Sequence, residues 1–409
     1  MRARSASAVV VIAGVIVAGA VSASSLFGQL GRDRGDAASS AHAVERLSDL
    51  FTTEGGPVVP GEPPRGVSGT APSDCAECHA EIAAEWARSA HARSWTDPIF
   101  QAEYHLSQQA FCRHCHAPLA REASIREPAA PGRRGARLVG SGSEAAPVGA
   151  GESLAARGID CAVCHVRDGH VHGPQGRGGD EHAARRDARL ATSAFCGGCH
   201  QFNFPAPAPG ERVRYHPGQP LQNTIVEWSQ SRYADRPCQH CHMPMAGEAG
   251  DRHRSHAFRT LDDPELMARA VRVTADARRH GGTIGVTVVI SPGEIGHAFP
   301  TGDMFRRAVM TVGTAAVRRH EVLMRYFAQT ITEDGSGHLL GQVDDTRVLP
   351  AGAGPPLRLD FELDDPGATE VWWSLELFRL APEDALDRGL DDAATGLRFL
   401  SGRIAVQAP

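Results

Sequence analysis

Lysine is absent from this chain, and all 42 of its basic residues are arginine. No side-chain primary amine is therefore available as a metal ligand. An excess of basic charge is missing too: the formal net charge is -6 with histidine neutral, so no positive field exists to hold nucleic acid. Aromatic residues make up only 6% of the 409 residues. The middle third is poor in large apolar side chains, which excludes an interior filled by side chains alone. Long hydrophobic runs are lacking as well, apart from Ala8 to Ala20 near the N-terminus.

That one run belongs to a segment, residues 1–23, that reads as an export signal. Arg2 and Arg4 precede the apolar stretch, and Val21-Ser22-Ala23 supplies small residues for cleavage. No twin-arginine pair accompanies it. The run is shorter than the ~20 residues a spanning helix needs. The alternative is an uncleaved anchor extended by Leu26 and Phe27, and membrane contact is expected only in that case. Either way the folded part is expected outside the cytoplasm, in the periplasm or at the cell surface.

What the chain does have is ten cysteines in a single pattern. Five disulfides are the first expectation for an exported chain with an even count. The spacing argues otherwise. Every cysteine belongs to a Cys-x-x-Cys pair followed directly by histidine: Cys75, Cys78 and His79; Cys112, Cys115 and His116; Cys161, Cys164 and His165; Cys196, Cys199 and His200; and Cys238, Cys241 and His242. With histidine at roughly one residue in twenty, five chance placements have odds on the order of one in a million or worse, and the pattern is the c-type haem attachment signal. Paired zinc motifs do not require a histidine after every second cysteine. Two thiols add to the two vinyl groups of one haem, and the next residue offers its imidazole to the iron. The expectation is five covalently attached c-type haems with those five histidines as proximal ligands. Haems would then fill much of the interior.

Fifteen further histidines can supply the sixth ligands. The stretch "AEIAAEWARSAHARS" predicts a helix running on from His79. His91, twelve residues on, would stand roughly 18 Å along it. Two ligands on one iron lie only ~4 Å apart, given metal–nitrogen bonds near 2 Å. His91 is therefore expected to cap a neighbouring haem and tie two haems together. His182, separated from Cys196 by a predicted helix, should likewise cap a haem other than that of His200. His256, before the apolar Phe258, is expected as a ligand. His105, His170, His172 and His216 compete for the place still open, and His172 completes the expected set. His114 and His240 lie inside their own motifs, and His42, His280, His320 and His338 read as structural or exposed. Met243, Met245 and Met304 are the methionine alternatives.

The organisation follows the motifs. Residues 24–70 are rich in Ser, Gly, Pro and Ala and read as a tether. Residues 71–262 hold every haem motif, with 128–158 as an exposed loop. From 263 to 409 the pattern changes to β-branched, alternating runs separated by Gly, Pro and Asp turns. The fold class expected is a mostly α/irregular pentahaem cytochrome c region followed by an antiparallel β-sandwich. Within "IGHAFPTGD", Pro300 and Gly302 bend a turn that presents His297. This histidine is expected to cap a haem of the preceding region and fasten the two parts together.

The segments "CAECHAEIAAEWARSAHARS", "CAVCHVRDG", "CGGCHQF", "EWSQSRYADRPCQHCHMP", "SHAF" and "GHAFPTG" resemble multihaem cytochromes c of the cytochrome c-554 and hydroxylamine oxidoreductase superfamily. The resemblance covers residues 73 to about 304, and the rest only in outline. It implies distal ligation by His91, His256 and His297. The first function expected is electron transfer along closely packed, mostly bis-histidine haems, with redox proteins as partners. The second is a reductase or oxidase acting on a small nitrogen or sulfur compound at one open iron. Nitrite reductases similar to this superfamily often use a lysine-ligated haem, which a chain without lysine cannot have. The tyrosine linked to the active haem of hydroxylamine oxidoreductases has no matching motif around Tyr104, Tyr215, Tyr233 or Tyr326. The third is a subunit of an extracellular haem filament or surface complex, self-assembling through exposed haems.

Overall fold

A computed structural model of the chain describes residues 63–107, 110–120, 154–176, 182–206, 214–248, 252–331, 338–390 and 396–408. They belong to one compact unit, Ala43–Pro409. The export segment, most of the tether, residues 128–153 of the expected loop and His42 lie outside the described residues.

The motif-bearing half is built from short helices. These are α1 (Pro72–Ala76), α2 (Ala80–Ala87), α3 (Pro98–Ser107), α4 (Ala110–His116), α5 (Cys161–His165), α6 (Ser193–His200), α7 (Thr224–Ser229) and α8 (Cys238–His242). Four of the five Cys-x-x-Cys-His motifs end a helix at their histidine. One helical turn puts residues i and i+3 on the same face, so both thiols of such a motif point the same way. The first motif is split instead. Cys75 belongs to α1, Cys78 lies in the turn that follows, and His79 stands at the entry of α2. The Cys78 N–H still bonds the Cys75 carbonyl at 3.3 Å, which keeps the two residues within one turn. Asp160 caps α5 by accepting the Val163 N–H at 3.2 Å and pairs with Arg157 at 2.6 Å, both buried. Burial pushes the Asp160 carboxyl up, against the pull of that guanidinium.

Short strands lie between the helices and modify the mostly helical expectation. β1 (Val166–Arg167), β2 (His170–Gly173) and β3 (Ala184–Arg186) form one small sheet, β4 (Gln201–Ala206) and β5 (Arg214–Asn223) a hairpin, and β6 (Met245–Ala246) and β7 (His253–Arg254) another. Two helix expectations need correction. The helix after His79 stops at Ala87, and His91 lies in turns beyond it. There the Ser89 Oγ accepts the Ala92 N–H and Arg93 donates to the Arg88 carbonyl, so local side chains replace the helical ladder. The segment between His182 and Cys196 forms β3 and a 3-10 turn, Ala188–Ala191, rather than a helix. Asp187 accepts the backbone N–H of Arg189 and grips its guanidinium at 2.8 Å, which starts the turn.

The end of the expected exposed loop is also anchored. Arg157 is buried, and Gly158 has φ +60°. A Cβ on Gly158 would meet the His91 carbonyl oxygen at 2.7 Å, while the Ile159 N–H bonds that same oxygen at 3.1 Å. Only glycine fits this left-handed position beside another strand of chain.

After α9 (Pro264–Ala270) the chain is β-rich: β8 (Val271–His280), β9 (Thr283–Pro292), β10 (Arg307–Gly313), β11 (Arg318–Leu323), β12 (Arg325–Ile331), β13 (His338–Asp345), β14 (Leu357–Leu363), β15 (Glu370–Phe378) and β16 (Leu397–Ala405). They pair antiparallel as β11-β10-β15-β16, β14-β9-β8 and β12-β13. Alternation selects the inward residues. Ile284, Val286, Val288 and Ile290 of β9 join Met310 and Val312 of β10 and Val371, Leu375 and Leu377 of β15 in one apolar cluster. The β9–β10 connection carries residues 293–306, including His297, toward the motif-bearing half.

Candidate functional site

The five motif histidines divide into four with a second imidazole opposite and one without. His79 faces His182 at 6.2 Å between ring centres, His165 faces His256 at 6.1 Å, His200 faces His91 at 6.3 Å and His242 faces His297 at 6.2 Å. Touching rings would lie closer. Two imidazoles on opposite sides of one metal, with bonds near 2 Å, place their ring centres roughly 6 Å apart. The spacing of all four pairs fits a metal between them. No pair joins a motif histidine to a neighbour in sequence, so every pair ties distant segments together.

Hydrogen bonds at the other ring nitrogen fix how these imidazoles are turned. Nδ1 of His165 lies 2.8 Å from the His172 carbonyl, Nδ1 of His242 2.6 Å from that of Arg259, and Nδ1 of His116 2.7 Å from that of Ser94. Among the facing rings, Nδ1 of His256 lies 2.7 Å from the Arg254 carbonyl, and that of His297 3.0 Å from the Ala298 carbonyl. A carbonyl can only accept, so Nδ1 carries the proton and Nε2 keeps its lone pair for a metal. Burial reinforces this by disfavouring the charged ring. Desolvation pulls His91 down to about 3 and His200, His256 and His297 to about 4. Each is a neutral donor near neutral pH.

His116 has different surroundings. The Phe100 ring lies flat against it at 3.8 Å and 10°, within a cluster that includes Trp95 and Tyr104. Among the described residues no histidine ring faces it. Arg113 donates to the Tyr104 hydroxyl at 3.0 Å beside this cluster. His172, expected as the fifth distal ligand, is opposite no motif histidine. Its carbonyl serves His165, and both its ring nitrogens are buried without a hydrogen-bond partner. His105 is exposed, and so is Met245.

None of the ten cysteines is in a disulfide, and sulfurs of different motifs approach one another. Cys75 is hydrogen-bonded with Cys161, Cys196 with Cys238, and Cys115 with Cys199. Burial pushes Cys164 up to about 12. The Cys196 contact lowers Cys238 to about 7. All five motifs thus meet another motif, and that of Cys196 and Cys199 meets two, rather than standing as isolated sites. Buried polar atoms left over nearby, Arg167 Nη2 and His182 Nδ1, suit the acidic edge of a bound macrocycle.

The supporting residues are those that sequence reasoning missed. Glu227, in α7, is buried and accepts the Ala298 N–H at 3.1 Å, the Thr301 hydroxyl at 3.2 Å and Arg347 at 2.8 Å. Arg347 also donates to the Pro300 carbonyl and pairs with Asp345. Glu85, in α2, accepts the His256 N–H at 2.8 Å and His253 Nε2 at 3.2 Å. Burial pushes the Glu85 carboxyl up, but these donors outweigh it and hold the group below the usual carboxylate range. The available signal is a repeated Glu-Trp dipeptide, at 85–86 and 227–228, and a recurring His-Ala-Phe, at 256–258 and 297–299.

Against solved structures, the chain resembles a penta-heme cytochrome c552 from Thermochromatium tepidum, with TM-score 0.57 and 21% identity over 82% of this chain and 98% of that one. The chain has the fold of a multihaem cytochrome. Spo0M, a sporulation control protein from Bacillus subtilis, also aligns, at TM-score 0.14 and 11% identity over 34% of this chain and 49% of that one. No family model matches, and no curated protein does.

Proposed function

We propose that the chain is an exported pentahaem c-type cytochrome that carries electrons along closely spaced haems to and from redox proteins. The observation that carries this reading is the set of four histidine pairs, each held 6.1–6.3 Å apart between ring centres. The ten motif cysteines would hold the five haems covalently. His79, His165, His200 and His242 would bind iron from one side, and His182, His256, His91 and His297 from the other. Bound there, haem c supplies a one-electron iron couple. The chain's own part is to hold these imidazoles in facing pairs and to turn His165, His242, His256 and His297 through hydrogen bonds at Nδ1. Two axial histidines leave no position for a substrate and favour a lower potential than histidine with methionine. Residues 71–262 form the haem-bearing part. The four-stranded and three-stranded sheets of residues 263–409 would form one β-sandwich around their shared apolar cluster, which supports the axial loop that carries His297.

Mass spectrometry of the mature chain tests the attachment, with five added haems expected. Electron paramagnetic resonance tests the ligation, with low-spin signals dominant. Intact thiols or wholly high-spin iron would overturn the reading.

A second reading has one observation in its favour: among the described residues no second imidazole lies opposite His116, whose ring stacks on Phe100 instead. An iron at that motif would keep an open position, where a small nitrogen or sulfur compound could react. Carbon monoxide added to the reduced protein should then shift the absorption of one haem in five. Nitrite or hydroxylamine should change the high-spin signal of the same haem. No spectral change with any of the three would leave the protein a pure carrier.

A further inference from the structure

The repeated Glu-Trp dipeptide makes the same pair of connections twice. In α2, the Trp86 indole N–H donates to the Ile159 carbonyl at 2.8 Å, two residues before Cys161. In the same helix, the Glu85 carboxylate holds the backbone N–H of His256 at 2.8 Å. His256 is the ring that faces His165 of the Cys161 motif. In α7, the Trp228 indole N–H donates to the Arg236 carbonyl at 2.9 Å, two residues before Cys238, and to the Tyr233 carbonyl at 3.0 Å. There the Glu227 carboxylate holds the Ala298 N–H at 3.1 Å, next to His297. His297 is the ring that faces His242 of the Cys238 motif. Each dipeptide therefore grips both sides of one axial pair, the indole on the motif segment and the carboxylate on the facing loop.

We propose that Glu85-Trp86 and Glu227-Trp228 are paired positioning clamps, each setting the spacing and orientation of the two axial histidines of a single haem. The proposal rests on the reading of these pairs as iron ligands. Adjacent residues on a helix share one rigid backbone, so two contacts made from one dipeptide fix the distance between the segments they hold. A charge-assisted bond from a carboxylate to a backbone N–H is roughly twice as strong as a neutral one. Neither helix contributes a ligand from within its own span, so neither needs this geometry for its own sake. Trp86 and Glu227 are buried, which keeps water from competing for these bonds. The backbone at Phe258, just after His256, has φ +48°, an unusual value for a bulky residue. Its ring packs edge-on against both His91 and His256, at 4.2 and 5.9 Å. The facing loop is thus held in a strained bend, with Glu85 fixing one end of it.

The two clamps differ in charge. Glu227 is matched by Arg347 at 2.8 Å, whereas Glu85 has His253 Nε2 at 3.2 Å. Replacing Glu85 by glutamine keeps an acceptor for the His256 N–H while removing a negative charge beside the axial ligand. Less negative charge favours the reduced iron.

The test uses the full-length, haem-loaded protein and four variants: His256→Ala, Glu85→Ala, Glu85→Gln and Trp86→Phe. Low-temperature electron paramagnetic resonance and carbon monoxide difference spectra follow one haem of the five. His256→Ala should convert that haem fully to a high-spin, carbon monoxide-binding form; if it does not, the ligand reading fails and the clamp with it. With that control positive, Glu85→Ala should give the same haem a mixed or shifted low-spin signal. Glu85→Gln should restore the signal but with a raised midpoint potential. Trp86→Phe, which keeps an aromatic ring and loses the bond to Ile159, should shift the same signal even if Glu85→Ala fails to accumulate. Signals of that haem left as in the parent by Trp86→Phe and by Glu85→Ala, or by Trp86→Phe together with an unchanged midpoint potential in Glu85→Gln, overturn the proposal. So does a shift confined to the His79–His182 haem, whose segment α2 follows.

Discussion

His297→Ala removes the one axial imidazole that comes from the β-rich part of the chain, and its effect should be confined to one iron. The expected outcome is a single haem turned high-spin, able to bind carbon monoxide, with the other four signals kept. Electron paramagnetic resonance before and after adding the gas measures it, and an unaltered spectrum would remove His297 from the ligand set. At this scale much of the site is legible in the sequence. A histidine after each Cys-x-x-Cys names the motif rings directly, because attachment chemistry demands adjacency. The facing rings are harder to name. His91, His182, His256 and His297 can be singled out by segment, but the identity of each partner depends on packing. His172 shows the limit: it sits in a suitable place in the chain, yet its ring faces no motif histidine and its carbonyl meets His165.

At the scale of elements, α5 illustrates how a one-turn helix is made to persist. Five residues cannot stabilise a helix alone. Asp160 caps it, and Arg157 links the cap to the Thr70 carbonyl, which joins the segments that bear Cys75 and Cys161. Asp160→Ala would leave Arg157 buried beside no carboxylate. A loss of about 3–5 kcal/mol is expected, read from urea unfolding followed by far-ultraviolet dichroism. Asp160→Asn, which can still cap, should lose less. Strands read well where alternation is clear, as in β8, β9, β10 and β15. β11 is not legible, since Arg318 to Glu321 are exposed at a sheet edge and show no apolar alternation. The helices expected around His91 and before Cys196 fail for a related reason. Ser89 and Asp187 bind nearby backbone groups, and composition alone does not reveal that competition.

For the whole molecule, the apolar cluster shared by the sheets supports the loop that carries His297. Met310 is fully buried there. Met310→Ala should cost about 2–5 kcal/mol. During a urea titration, the absorbance of the His297-ligated haem should change first, ahead of the other four, because its facing ring alone depends on this part of the fold. Simultaneous loss of all five signals would mean that the two parts melt as one. Among the described residues no helix is long and apolar enough to cross a membrane.

The sequence by itself determined the motif pattern on which the proposed attachment rests: ten cysteines and five histidines in a fixed local order need no fold to be recognised, since such spacing is a property of neighbours in the chain. It also determined the change from short helices to strands, because alternation is local. Only the tertiary structure decided which imidazole faces which, that Phe100 rather than a histidine lies against His116, and that two Glu-Trp dipeptides bridge the sides of two sites. These depend on distances between segments far apart in sequence, and such distances arise only when the whole chain has packed.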